Sequence, residues 1–218
     1  MMKSIFTLIF LFGQLLLFGQ KQDIAIIRND KSPVFFEPSA DSEIVYNLNK
    51  YQGFFIVENL EINDEWAEVQ INPETNNKSV DFINGFILKS EINKFENINH
   101  DESEYLSFEI INARTSRFSK EKLIFGLESP IEDSFSVKRM YIHCKDKSIQ
   151  VDEKYYNDLY NVSFIEGNYS SLKNERFKTY TKGKMTFIRQ KCGDGSGSYD
   201  IIWVIKDCEI IQRLINEI

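Results

Sequence analysis

The chain has 218 residues, of which 42% are hydrophobic, and its formal net charge at pH 7 is −7. This length and apolar content are enough for one large or two small folded domains. A chain that is acidic overall is a poor candidate for a nucleic-acid-binding protein, because contact with phosphates requires clustered cations. The acidity belongs to the first half: residues 21–100 hold 7 Lys and Arg against 14 Asp and Glu, whereas residues 101–218 hold 18 against 19.

Residues 1–20 have the pattern of a secretory signal peptide. Lys3 supplies the positive start, a long apolar run follows, and Gly19 is a small residue before the expected cleavage point at Gln20 or Lys21. The alternative is a retained membrane anchor, for which the segment is short and is interrupted by a Gly-Gln pair. We therefore expect a periplasmic or extracellular protein with no stable membrane span after cleavage of the signal.

Residues 23–92 have the pattern of short strands. Val, Ile, Phe and Tyr are enriched in segments that are separated by Asn, Asp, Gly or Pro. The segments are DIAIIRND, SPVFFEPSADSEIVYNL, GFFIVENLE, EWAEVQI and NGFILKSEI. Five short strands within about 70 residues predict a small β-barrel.

The order of these segments resembles the bacterial SH3-like family, usually called SH3b. The pattern comprises an apolar strand leading to a Pro-Ser turn, a Trp followed three residues later by Val, and a late Gly-aromatic-apolar sequence. Here these are VFFEPSADSEIVYNLNKYQGFFIVE, EWAEV with Trp66 and Val69, and GFILKSEI with Gly85 and Phe86. The chain differs from the family in having Phe-Glu in place of Leu-Arg before the turn, and Phe86 in place of Trp. The resemblance implies an SH3-like barrel that binds a peptide or a cell-wall element through a divergent surface.

Aromatic residues near the expected binding face are the candidates for ligand contact: Phe36, Tyr51, Trp66 and Phe86. Because side chains alternate along a strand, Trp66 and Glu68 should lie on the face opposite Val69, which we expect in the core. Trp66 then either lines an outer binding face or packs beneath a loop. Each of the four is also compatible with a place in or near the core.

Residues 93–104 are polar and charged and are predicted to link the first domain to a second, α+β domain at residues 105–218. Because this linker is short, the two halves are expected to touch. Strands are expected at YLSFEIINA and SVKRMYIHC, and the consecutive strands KMTFIRQKC, YDIIWVI and EIIQRLI predict an antiparallel meander that closes the chain. The segment DEKYYNDLYNVSF is ambiguous, because its tyrosines also fit one face of a helix. The whole protein is expected to be mainly β, and no family is recognised for the second half.

The stretch RQKCGDGSGSYD is the part of the sequence that most resembles a catalytic or metal-binding loop, but it is predicted to be a turn between strands. A hydrolase elbow needs Gly two residues before and two after its Ser, and Ser196 has Asp194 and Ser198 there. A calcium loop needs Gly at its sixth position and an acid at its twelfth, and this stretch has neither. Glycines that permit positive φ, with Ser and Asp that bond to nearby backbone, suit a simple chain reversal.

The cysteines and histidines argue against thiol and metal catalysis. A thiolate nucleophile needs a base, which in papain-like enzymes is a downstream His, but His100 and His143 precede Cys192 and Cys208, and Cys144 has none after it. A catalytic zinc needs two or three His with a carboxylate, and these two histidines lie in unrelated contexts. We therefore predict no catalytic residue, no metal ligand and no cofactor, and we expect His143 to be an ordinary strand residue.

The expected meander also restricts disulfide pairing. Residues 199–205 form a strand between Cys192 and Cys208, which places these two at opposite ends of the sheet. A disulfide tolerates only about 7 Å between Cα atoms. If a bond forms in the exported protein, Cys144–Cys192 or Cys144–Cys208 is therefore favoured.

Residues 173–191 form a basic run with 7 Lys and Arg against one acid, and Phe177, Tyr180 and Phe187 lie among them. Two interpretations remain open. The run forms either a patch for an anionic partner, such as a wall polymer or polysaccharide, or a solvated strand face that complements the acidic first domain.

These observations favour an exported, non-enzymatic binding or scaffold protein of the bacterial cell envelope. Its expected partner is a cell-wall peptide or an envelope protein, not a nucleic acid. One alternative is a carboxylate-based cell-wall or glycan hydrolase, although the spacing of acids nominates no pair. Another is an inhibitor or immunity-type protein that acts through its second domain.

Overall fold

The computed structural model describes residues 23–57, 64–72, 82–98, 106–115, 125–126, 134–144, 146–162, 167–170, 176–193 and 198–217. In these ranges the protein is mainly β, which confirms the predicted fold class. Its strands form three antiparallel sheets. The described residues contain short 3-10 turns but no α-helix, so the helical component expected of the second half is not found in them.

The first sheet has seven strands where five were expected. They are β1 (Asp23–Ile27), β2 (Lys31–Phe35), β3 (Ile44–Asn49), β4 (Gly53–Val57), β5 (Trp66–Ile71), β6 (Ile83–Leu88) and β7 (Ile92–Lys94), in the order β3-β2-β6-β5-β4-β1-β7. The count rises because the Pro-Ser turn divides one predicted segment into β2 and β3, and because a 3-10 turn at Lys89–Glu91 separates β7 from β6. The pairings show one continuous sheet, and closure into an SH3-like barrel stays a prediction.

The second half contains two further sheets. The second sheet comprises β8 (Leu106–Arg114), β9 (Phe135–Cys144), β10 (Lys147–Gln150) and β11 (Gly167–Ser170), in the order β10-β9-β8-β11. The last sheet, here called the meander, comprises β12 (Phe177–Lys182), β13 (Met185–Cys192), β14 (Tyr199–Lys206) and β15 (Glu209–Glu217), paired in chain order. This confirms the predicted antiparallel meander. Its last turn consists of Asp207 and Cys208, both with positive φ, as a tight two-residue hairpin turn requires.

The strand β14 of the meander is buried on both faces. Every residue of β14 from Tyr199 to Ile205 is buried. Ile201 and Trp203 pack with residues of the second sheet, whereas Ile202 and Val204 pack with residues of the first sheet. The meander is therefore the middle of three layers, which explains why β14 has a continuous apolar run in place of an alternating pattern.

The first sheet and the meander are joined by a buried hydrogen-bonded contact. The Gln212 amide accepts from the Gly53 N–H (2.8 Å) and donates to the Gly53 carbonyl (3.0 Å). A side chain at Gly53 would collide with Leu214, so glycine permits this close approach. Phe95, within the predicted linker, packs edge-on against Phe187 with 5.1 Å between ring centroids. The two halves thus touch directly.

The described residues of the ambiguous tyrosine-rich segment, 152–162, contain no α-helix. It contains one 3-10 turn, Glu153–Tyr155, and a few local bonds that follow it, such as Asn157 N to Glu153 O. From Tyr160 onward its backbone N–H groups donate to other segments, to Phe125 O and Phe135 O. Asn161 adopts a φ of 50°, and its amide accepts from Phe135 N and donates to Gly126 O. These outward bonds replace the repeating pattern of a helix, and Tyr155 becomes buried without one.

The cysteines pair as one of the two favoured alternatives. Cys144 and Cys208 form a disulfide with 6.0 Å between their Cα atoms, whereas Cys192 is a buried free thiol. Because Cys144 ends β9 and Cys208 lies in the last turn, this bond ties the second sheet to the meander.

Candidate functional site

A row of side chains crosses the outer face of the first sheet. Cross-strand pairing joins Ile44 of β3 to Phe35 of β2, Phe35 to Phe86 of β6, and Phe86 to Glu68 of β5. Directly opposite residues in an antiparallel sheet project to the same face. The neighbouring residues Val34, Ala67, Val69 and Ile87 belong to the core cluster on the other face. We call Ile44, Phe35, Phe86 and Glu68 the outer row.

The structure brings three of the four predicted ligand residues to this region. Phe86 is a half-buried member of the outer row. Phe36 follows directly after Phe35 and is 63% exposed. Trp66 lies edge-on against Phe35, with 5.4 Å between ring centroids and 89° between ring planes.

Trp66 occupies the face that alternation predicted but is not a surface residue. Its neighbour Ala67 and the core residue Val69 belong to the core cluster of the first sheet, and Trp66 does not. Trp66 is nevertheless only 5% exposed. It therefore supports the outer row from one side together with the buried Phe35, and the accessible apolar surface of this region belongs to Phe36 and Ile44.

Tyr51 lies away from the outer row. It is in the turn between β3 and β4, whereas Ile44 begins β3, so the length of this strand, about 17 Å, separates them. Tyr51 has a φ of 65° and packs against the core between the first sheet and the meander. Its hydroxyl would lie 3.0 Å from a side chain at Gly183, in the β12–β13 turn. The structure thus places Tyr51 at the contact between the halves.

The turn between β2 and β3 exposes apolar side chains. In the described residues the exposed large hydrophobic side chains are Phe36, Ile44 (50% exposed) and Ile211 (41% exposed), and the first two flank this turn. The Phe36 N–H donates to the Glu43 carbonyl at 2.8 Å, which holds them close together. Sequence reasoning missed Phe35 and Ile44, although the Phe-Phe pair before the turn was a usable signal.

The same turn is ordered and acidic. The Glu37 N–H donates to Ser42 Oγ (3.0 Å), and the Asp41 N–H donates to Ser39 Oγ (3.3 Å). Residues 32–49 contain Glu37, Asp41 and Glu43 but no Lys or Arg. The exposed apolar side chains therefore lie in a region of negative potential.

The thiol and imidazole groups in the described ranges are engaged elsewhere. Burial raises the pKa of the Cys192 thiol far above its ordinary value, because a thiolate there would lose its hydration. His143 lies on β9, and its Nε2 is 2.9 Å from Glu109 Oε2 on β8. No group of three or more His, Cys, Asp or Glu placed to hold a metal occurs among these residues. Most of the GDGSGS stretch, residues 194–197, lies outside the described residues.

The helical segments in the described ranges are single 3-10 turns, and none could cross a bilayer. Comparison of the chain with protein-family models, with curated proteins and with solved structures found no match.

Proposed function

We propose that the protein is an exported, non-catalytic binding module of the bacterial cell envelope. Phe36 and the outer row bind a peptide or cell-wall element that carries an apolar group and an amino group. The observation that carries this proposal is the pair of exposed side chains, Phe36 and Ile44, at one ordered and purely acidic turn.

The apolar side chains of this surface favour an apolar group on the ligand, and its carboxylates favour an amino group. Covering the exposed portions of Phe36 and Ile44 would contribute about 2–3 kcal/mol, because full burial of such a side chain contributes about 1.5–3 kcal/mol. The carboxylates of Glu37, Asp41 and Glu43 would attract an ammonium group and disfavour an anionic ligand. Together these contributions fit a weak, exchangeable interaction with a repetitive ligand.

Three features support the cellular setting of this proposal. The N-terminal pattern is that of a secretory signal. The Cys144–Cys208 disulfide suits the oxidising conditions outside the cytoplasm. The resemblance of residues 23–92 to SH3b domains favours a peptide or wall ligand over other classes.

The test is co-sedimentation with purified peptidoglycan, together with titration by soluble wall peptides. The double variant Phe36→Ser/Ile44→Ser should lose binding, whereas Ile211→Ser, which removes the exposed apolar side chain of β15, should bind like the wild type. Equal binding by all three proteins would refute the site, and absence of wild-type binding would refute the function. Release of soluble fragments from the wall by the wild type would favour the hydrolase alternative.

A further inference from the structure

The structure gathers three cations of the basic run at one end of the meander. Lys178 on β12 is the cross-strand partner of Arg189 on β13, and Lys191 lies two residues further along β13. Opposite residues have Cβ atoms about 5 Å apart, and residues two apart on a strand share a face at about 7 Å. The three side chains therefore rise from one small area of one face.

Arg189 is held in place by a buried carboxylate. Its Nε donates to Asp200 Oδ2 at 2.7 Å, and its Nη2 contacts the same oxygen. Asp200 is fully buried, whereas the Arg189 side chain is 35% exposed. Nη1 has no partner among the described residues and the side chain is partly exposed, so the fixed guanidinium keeps a donor group available for a ligand. A planar guanidinium fixed in this way suits an anion that accepts parallel hydrogen bonds.

The first sheet does not bury the two lysines at this end of the face. Tyr180 and Phe187, further along the same face, are covered by Phe95. Lys178 and Lys191 are exposed and form no ion pair with another residue in the described part of the chain. The open area therefore begins where the covering layer of the first sheet ends.

We propose that Lys178, Arg189 and Lys191 form a binding site for a phosphate monoester group. The three side chains carry three positive charges and Asp200 carries one negative charge, so the net charge of the site is +2. This complements the charge of about −1.5 to −2 on a phosphate monoester. Arg176 precedes β12 and already has an interaction, so it is not counted. The phosphate belongs either to a soluble ester or to a lipid headgroup.

The other end of the basic run provides a matched comparison. Lys182 and Lys184 flank Gly183 in the β12–β13 turn, and the described residues place no buried carboxylate against them as Asp200 lies against Arg189. Lys182→Gln/Lys184→Gln removes the same charge as Lys178→Gln/Lys191→Gln. All four lysines lie at the surface or are half-buried, so both double variants should fold.

The test is an NMR titration of the full chain after signal removal, with inorganic phosphate and with glycerol phosphate. The amide signals of Lys178, Arg189 and Lys191 should shift, and Lys178→Gln/Lys191→Gln should weaken binding by about tenfold, or 1.4 kcal/mol. Arg189→Lys keeps the charge but loses the oriented donors, and should also weaken binding. Co-sedimentation is then compared between vesicles that contain phosphatidic acid and vesicles of phosphatidylcholine alone. Binding to the phosphatidic acid vesicles only would identify a lipid headgroup as the source of the phosphate, and binding to neither would identify a soluble ester.

Two results would overturn the proposal. One is the absence of phosphate-dependent shifts at these three amides. The other is an equal loss of affinity in the Lys182→Gln/Lys184→Gln variant, which would show a general charge effect and not a site. Neither result bears on the outer row, because the two surfaces lie on different sheets and have opposite charge.

Discussion

The disulfide between Cys144 and Cys208 should be a major source of stability. It links the second sheet to the meander across a chain separation of 64 residues. In the chain-entropy model, the loss of unfolded-state entropy on closing a loop of this length stabilises the folded state by about 4 kcal/mol at 25 °C. Replacement of both cysteines by serine should therefore lower the free energy of unfolding by about 4 kcal/mol, a large fraction of the roughly 5–15 kcal/mol typical of a folded protein.

The assay is urea denaturation with and without dithiothreitol. Reductant should destabilise the wild type to the level of Cys144→Ser/Cys208→Ser and should leave that variant unchanged. The control is Cys192→Ser, which keeps the disulfide and should respond to reductant as the wild type does. A wild-type transition that is insensitive to reductant, or a Cys192–Cys208 link in peptides mapped without reduction, would refute the reasoning.

Three further predictions concern buried polar groups. Gln212→Ala leaves both backbone groups of Gly53 without their buried partner and should cost about 2–4 kcal/mol in chemical denaturation, and a cost below about 1 kcal/mol would contradict the joint described above. The buried Arg213 donates two hydrogen bonds, of 2.7 and 2.8 Å, to the Asp158 carboxylate. Asp158→Ala leaves this buried cation without its counter-ion and should lower the free energy of unfolding by about 3–5 kcal/mol. The double variant Asp158→Leu/Arg213→Met should recover most of that loss, and failure to do so would mean that the pair is not the cause. The Cys192 thiol should resist alkylation in the native protein at mildly alkaline pH and react once the chain is unfolded, because burial raises its pKa, and rapid native labelling would contradict this.

Local patterns predicted the strands well where strand and turn signals agreed. The last three strands of the meander, β13 to β15, follow this rule, and the Asp207–Cys208 turn lies between two of them as expected. The continuous apolar run of β14 did not reveal which sheets cover it, because burial on both faces depends on layers contributed by distant segments. The position of Val69 in the core and of Trp66 on the opposite face followed from alternation alone.

The candidate site could be predicted only in part. Phe86 and Phe36 were identifiable as aromatics near the expected binding face, but their link is Phe35, which pairs with Phe86 across a large separation in the chain. Pairing between distant strands leaves no local signal. The location of Tyr51 away from the outer row has the same cause, because its neighbours come from the β12–β13 turn of the other half.

The spacing of the tyrosines left the segment DEKYYNDLYNVSF ambiguous for a different physical reason. The tyrosines do become buried in part, as a helical face would bury them. The Tyr160 and Asn161 N–H groups, however, donate to the Phe125 and Phe135 carbonyls, which a helix would not use. Spacing alone does not distinguish these two ways of satisfying a buried backbone.

The most direct test of the proposed recognition role is an NMR titration with a soluble cell-wall peptide that follows the Ile44 methyl groups and the Phe36 and Phe86 amides. Saturable shifts at these three positions, lost in Phe36→Ser/Ile44→Ser and retained in Ile211→Ser, are the predicted result. The proposal would be contradicted by shifts that are confined to other surfaces. It would also be contradicted if no shifts occur at ligand concentrations that saturate wall-binding proteins.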